Sequence, residues 1–235
     1  MMGKYMRISY FLAATCTLLS TPALAETTDS APISVSADIG VVSDYRFRGV
    51  SLSDNDFAVQ GGVTVNTQQG FYAGGWASSI AEYGGAKTEI DLSAGWSGAL
   101  GPVTADVNVV GYLYPNGTGV SYYELNGSLS KDFGAFSTKA GLSYSPKQDN
   151  LGAVDNTYVY GDVNVPVPGT PVSFNAHVGH ENGVYQGKTD FGLGANFTID
   201  RFTLGVSYIA VDSDPADQLD DLAKDRALVS LKATF

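Results

Sequence analysis

Ile33-Ser34-Val35-Ser36-Ala37-Asp38-Ile39-Gly40-Val41-Val42-Ser43-Asp44-Tyr45-Arg46-Phe47-Arg48 sorts its side chains with a period of two. Its odd positions are Ile33, Val35, Ala37, Ile39, Val41, Ser43, Tyr45 and Phe47; its even positions include Ser34, Ser36, Asp38, Asp44, Arg46 and Arg48. Successive residues of a strand point to opposite faces, so the pattern predicts a strand with one apolar and one charged face.

The same sorting recurs down the chain. In 103–113, Val103, Ala105, Val107, Val109 and Leu113 oppose Thr104, Asp106, Asn108 and Tyr112. In 226–235, Ala227, Val229, Leu231, Ala233 and Phe235 oppose Arg226, Ser230, Lys232 and Thr234. Such segments fall at 33–49, 57–67, 70–80, 88–98, 102–114, 121–132, 135–145, 157–167, 171–181, 188–199, 202–212 and 226–235. An even number of segments, each near the 9 to 11 residues of a tilted membrane strand, suits a single-chain barrel of the bacterial outer membrane.

The connections between these segments alternate in length. Short turns are expected at 68–70, 99–101, 132–134, 168–170 and 200–201, and longer polar ones at 50–56, 81–87, 115–120, 146–156, 182–187 and 213–225. A barrel with tight periplasmic turns and longer extracellular loops has this asymmetry, and a soluble sandwich has no cause for it. Phe71, Phe133, Phe202 and Phe235 mark the short-turn end, and Tyr45, Phe47, Tyr114, Tyr122, Tyr123, Tyr144 and Tyr158 the long-loop end, as two aromatic girdles would.

Composition agrees. Only 16% of the 235 residues are charged, against roughly 25% in an ordinary soluble domain, while 28 are glycine and 11% are aromatic. Lys4 and Arg7 precede an apolar run, Ile8 to Leu19, that ends in Ala23-Leu24-Ala25, a secretory leader pattern. The expected organisation is a signal peptide at 1–25 and one barrel domain at 26–235. Removing the leader also removes Cys16, the only cysteine, so no disulfide is expected. The mature chain carries 11 bases against 24 acids, net −13, which argues against nucleic acid as a partner. No run of 18 apolar residues follows Ala25, so no membrane helix is expected.

Val42-Ser43-Asp44-Tyr45-Arg46-Phe47-Arg48-Gly49-Val50-Ser51, with Asp54-Asn55-Asp56, Val59-Gln60-Gly61-Gly62 and Gly70-Phe71-Tyr72-Ala73-Gly74-Gly75-Trp76-Ala77-Ser78, resembles the TorF family of porins. Gly111-Tyr112-Leu113-Tyr114-Pro115 and Tyr122-Tyr123-Glu124-Leu125 extend the likeness over about 30–130. The resemblance implies an outer-membrane β-barrel of a Gram-negative bacterium. A chain closing on Phe235 after an alternating strand is also similar to the terminus of outer-membrane barrels generally. That likeness implies outer-membrane lipid, lipopolysaccharide and the barrel-assembly machinery as partners.

In a closed barrel the apolar face meets lipid and the polar face lines the lumen. Alternation then gives the lumen Asp38, Asp44, Glu89, Asp91, Asp106, Glu124, Asp162 and Asp190, against Arg46, Arg48, Lys139, Arg226 and Lys232. Eight acids against five bases predict a weak cation preference. Arg46 and Arg48 either line water or pair with acids across the lumen to form a constriction. Twelve strands fall between the filled interior of eight and the open channel of sixteen.

Competing chemistries are weaker. His177 and His180 lie three apart, on opposite strand faces, so they do not converge on one metal. The acidic loop 213–225 lacks the glycine and final glutamate of an EF-hand. No nucleophile elbow, zinc-protease or phosphate-loop motif is present, so neither an enzyme nor a cofactor is expected. The expected molecule is an all-β, twelve-stranded, antiparallel up-and-down transmembrane β-barrel. It would act as a narrow porin for ions or small hydrophilic solutes. The alternative is a sealed barrel with a structural or surface-binding role through its loops.

Overall fold

The computed structural model describes residues 32–235; the expected leader at 1–25, with Cys16, lies outside them. β1 (Ile33–Val42) leads into two very short strands, β2 (Arg46–Phe47) and β3 (Val50–Ser51). Next come β4 (Ala58–Thr67), β5 (Phe71–Tyr83), β6 (Ala86–Leu100), β7 (Val103–Leu113) and β8 (Tyr122–Asp132). The chain finishes with β9 (Ser137–Ser145), β10 (Asn156–Pro166), β11 (Val172–Asn182), β12 (Lys188–Ile199), β13 (Phe202–Asp212) and β14 (Arg226–Thr234). Twelve of these close into one antiparallel barrel, in which β4 to β14 pair in chain order and β1 joins β4 to β14; β2 and β3 form a separate hairpin.

Closure satisfies the backbone of the wall without an open edge, the condition for placing a sheet in hydrocarbon. The outer face is apolar around the circumference: Val35, Ile39, Val63, Leu92, Val107, Leu129, Leu142, Val163, Phe174, Leu193, Val206 and Leu231 are all exposed. Such a continuous apolar exterior is far larger than the patches that soluble monomers carry. The opposite parity faces inward, where Glu89, Asp91, Glu124, Asp162, Glu181, Lys188 and Asp190 are buried. The core of this molecule is therefore polar at the wall, with an apolar cluster only where loops fold into one mouth.

Three expectations from the sequence are corrected. The first strand ends at Val42, not near residue 49, because after Ser43, whose N–H still bonds the Val229 carbonyl, the chain turns inward. The expected long connection at 81–87 is a two-residue turn. β5 and β6 run on past a bulge between Ser79 and Tyr83 to Gly84 and Gly85, whose φ values of 59° and 98° form the hairpin tip. Among the expected girdle residues at that end, Tyr123 and Tyr144 are exposed, but Tyr45, Phe47, Tyr114, Tyr122 and Tyr158 are buried. Tyr122 and Tyr158 have the inward parity, and the other three lie off the wall strands, Tyr45 and Phe47 on the inward-folded segment and Tyr114 just past β7. Phe71, Phe133, Phe202 and Phe235 are exposed at the short-turn end.

Candidate functional site

The segment Asp44–Ser53 folds into the barrel as a plug. Phe47 pairs with Val50 and Arg46 with Ser51, so only Arg48 and Gly49 form the turn. Both have positive φ, 45° and 84°, as a two-residue hairpin of matching twist requires. Gly49 has a second constraint, because a Cβ there would lie 2.3 Å from Val211 Cγ2 and 2.9 Å from Asp190 Cβ. The turn thus presses directly on the barrel wall.

Internal bonds make the segment a rigid unit. Arg46 donates Nε to Asp44 Oδ2 at 2.7 Å and Nη1 to the Gly49 and Lys224 carbonyls at 2.9 and 2.7 Å. Asp44 Oδ1 accepts from Ser51 Oγ at 2.5 Å and from Ser53 Oγ at 3.3 Å. Tyr45 donates its hydroxyl to Glu89 Oε1 at 3.0 Å and sets its ring edge-on to Trp76. Burial pushes the Tyr45 phenol well above its ordinary pKa, and the Glu89 and Asp91 carboxylates push the same way, so it stays a donor.

Arg48 carries the contact across the lumen. It donates Nη1 to Glu181 Oε1 at 2.8 Å and Nη2 to Glu124 Oε2 at 2.7 Å, and its guanidinium carbon lies 4.3 Å above the Tyr158 ring. Burial opposes its charge, but the two carboxylates outweigh that penalty and hold its pKa well above the ordinary value. Lys188 Nζ forms an ion pair with Glu181 Oε2 at 2.9 Å and donates a hydrogen bond to the Arg48 carbonyl. Phe47 and Val50 join Tyr112, Val120, Leu151 and Leu219 in one buried apolar cluster. Leu219 belongs to the acidic loop 213–225, so that loop folds over the plug.

Beyond the plug the interior is polar. His177 sits between two acids, with Nδ1 2.6 Å from Asp162 Oδ1 and Nε2 2.9 Å from Asp190 Oδ2, while Tyr158 Oη is 2.8 Å from Nε2. Tyr72 donates to Asp106 at 3.0 Å, and Asn108 links Asp106 to Asn126. A cavity of about 260 Å³ is lined by Asp38, Gln60, Trp76, Asp91, Ser93 and Lys232. Asp91 is buried, and its carboxyl pairs with that of Glu89.

Of the residues singled out in the sequence, Asp38, Glu89, Asp91, Asp106, Glu124, Lys139, Asp162, Asp190, Arg226 and Lys232 sit on wall strands with the inward parity. Asp44, Arg46 and Arg48 do not belong to a wall strand; they reach the interior on the inward-folded segment. Two residues that share the inward parity, Glu181 with His177 and Lys188 with Asp190, complete the charged centre although neither was singled out. His180 is exposed and bonds Thr189, facing away from His177.

A family model described as "Bacterial protein of unknown function (Gcw_chp)" matches residues 26–235. The fold is similar to a solved KdgM porin, with a TM-score of 0.62 at 8% identity, covering 85% of this chain and 99% of that one. It is similar also to the COG4313 outer membrane channel from Pseudomonas putida F1, with a TM-score of 0.50 at 11% identity and coverage of 89% and 98%. At these identities the likeness is one of fold. Among curated proteins none matches the sequence.

Proposed function

The chain belongs to the bacterial Gcw_chp family, matched over residues 26–235, and we propose that it is an outer-membrane diffusion channel for ions and small hydrophilic solutes. One observation carries the reading: a closed barrel that is apolar outside encloses a polar interior with a cavity, an arrangement that suits a water path and not a packed core. The likeness to TorF porins over 42–78 and 111–125 supports it. So does the leader-like segment 1–25, which would direct the chain out of the cytoplasm, and the terminal Phe235, which would engage the barrel-assembly machinery.

The proposed path is lined by Asp38, Glu89, Asp91, Asp106, Glu124, Asp162, Asp190, Lys139, Arg226 and Lys232, with the plug residues Asp44, Arg46 and Arg48 at its narrowest part. With Glu181 and Lys188 added, nine acids face six bases, which favours small cations weakly. The plug makes the path narrow, so solutes pass only beside it or when it moves. No catalysis and no cofactor belong to this reading.

A second reading, a sealed barrel whose loops bind at the cell surface, is favoured by the same plug and by the folding of 213–225 over it. Ion flux from proteoliposomes separates the two. A channel releases a trapped salt faster than empty vesicles do, whereas fully inserted barrels without flux support the sealed reading.

A further inference from the structure

The two carboxylates and the Tyr158 ring that receive Arg48 come from the barrel wall, while the second ring against its guanidinium, Phe47 at 4.4 Å, belongs to the plug. Glu181 on β11 accepts from Asn156 Nδ2 at 2.8 Å, and its other oxygen forms an ion pair with Lys188 Nζ at 2.9 Å. Glu124 on β8 accepts from Tyr112 Oη and Ser145 Oγ, each at 3.3 Å. Tyr158 on β10 is fixed by His177 and Asp190, and its ring covers Gly179, where a Cβ would lie 1.9 Å from the phenol oxygen. Two carboxylates and an aromatic face are thus held in place by partners that do not come from the plug. A planar guanidinium fork can give one N–H to each of two separate carboxylates while stacking on an aromatic face, and a compact ammonium does this less well.

Arg48 also occupies an unfavourable backbone position to reach this pocket. A φ of 45° at a hairpin turn is the province of Asn, Asp and Gly. The turn has been given a residue chosen for its head group and not for its backbone.

We propose that Glu124, Glu181 and Tyr158 form a binding site for guanidinium-bearing solutes, which Arg48 occupies as a tethered stand-in when the plug is seated. This deepens the channel reading by naming the solute class for which the lumen is shaped. The tether gives Arg48 an effective concentration in the millimolar range or above. A free solute therefore competes poorly with the intact plug and binds well once Arg48 is gone.

The test is calorimetric titration of the refolded protein in detergent with methylguanidinium chloride, against sodium and tetramethylammonium chlorides at equal ionic strength. Arg48→Ala is expected to bind methylguanidinium about tenfold or more tighter than the wild type, and the double variant Arg48→Ala/Glu124→Gln to lose that gain. Equal affinity in wild type and Arg48→Ala, or no preference over tetramethylammonium, overturns the proposal. If Arg48→Ala does not refold, methylguanidinium in the refolding buffer is expected to restore the folded band on a heat-modifiability gel, and failure to restore it also overturns the proposal. Because binding is read without a membrane, binding in the absence of ion flux removes the channel and leaves the site. Flux without binding does the reverse.

Discussion

Lys188 and Glu181 are both wholly inaccessible to solvent, and their Nζ and Oε2 atoms are 2.9 Å apart. Glu181 also faces Arg48, so one carboxylate balances two cations, and the Arg48 carbonyl accepts from the same lysine. Removing one member of a buried pair leaves the other charge desolvated, a loss of about 3–5 kcal/mol. Lys188→Met is expected to lower unfolding stability in urea by about that amount, and Lys188→Met/Glu181→Gln by less than the two single changes together. A Lys188→Met protein as stable as the wild type would show that the pair does not hold the plug.

Gly49 is constrained by its φ of 84° and by the 2.3 Å approach of a Cβ to Val211. Gly49→Ala is expected to unseat the turn at a cost of about 1–3 kcal/mol. Seated, Arg46 and Arg48 are buried and closed to protease. Trypsin should cut the variant after one of these arginines while leaving the wild type intact, and equal resistance would argue against an unseated plug.

Leu193 lies on β12 with 65% of its surface exposed on the apolar exterior. Near the middle of a bilayer an arginine on such a face costs about 2–4 kcal/mol. Leu193→Arg should destabilise the barrel in lipid vesicles by that amount. A neutral effect would mean that this face does not meet lipid.

Asp38 lines the interior cavity on the polar face of β1. Asp38→Asn removes one of nine interior acids while leaving six bases, so the reversal potential in a salt gradient should shift toward anions. An unchanged potential would place the selectivity elsewhere.

The wall was legible because period-two alternation is physical at a lipid interface: Ile39 must be apolar and Asp38 polar for the strand to sit there at all. The plug was not. From Asp44 to Arg48 the same parity continues while the backbone has left the wall, and alternation does not distinguish a wall strand from a short hairpin inside the barrel. Arg48-Gly49 was the local sign, since a positive-φ pair makes a tight turn. Glu181 and Lys188 had the inward parity in plain view, but the His177-to-His180 spacing draws attention to metal chemistry, and a buried ion pair across a loop has no sequence spacing. The tip at Gly84-Gly85 was hidden for a similar reason, because the bulge at Ser79 to Tyr83 breaks the alternation just before the strands resume.

Single-channel recording of the refolded mature protein in a planar bilayer, under a salt gradient, addresses the channel directly. A plugged channel gives small discrete steps with a reversal potential on the cation side, and larger steps once Gly49→Ala unseats the plug. Repeated insertion of both proteins without steps, or a clear anion preference, would contradict the channel reading.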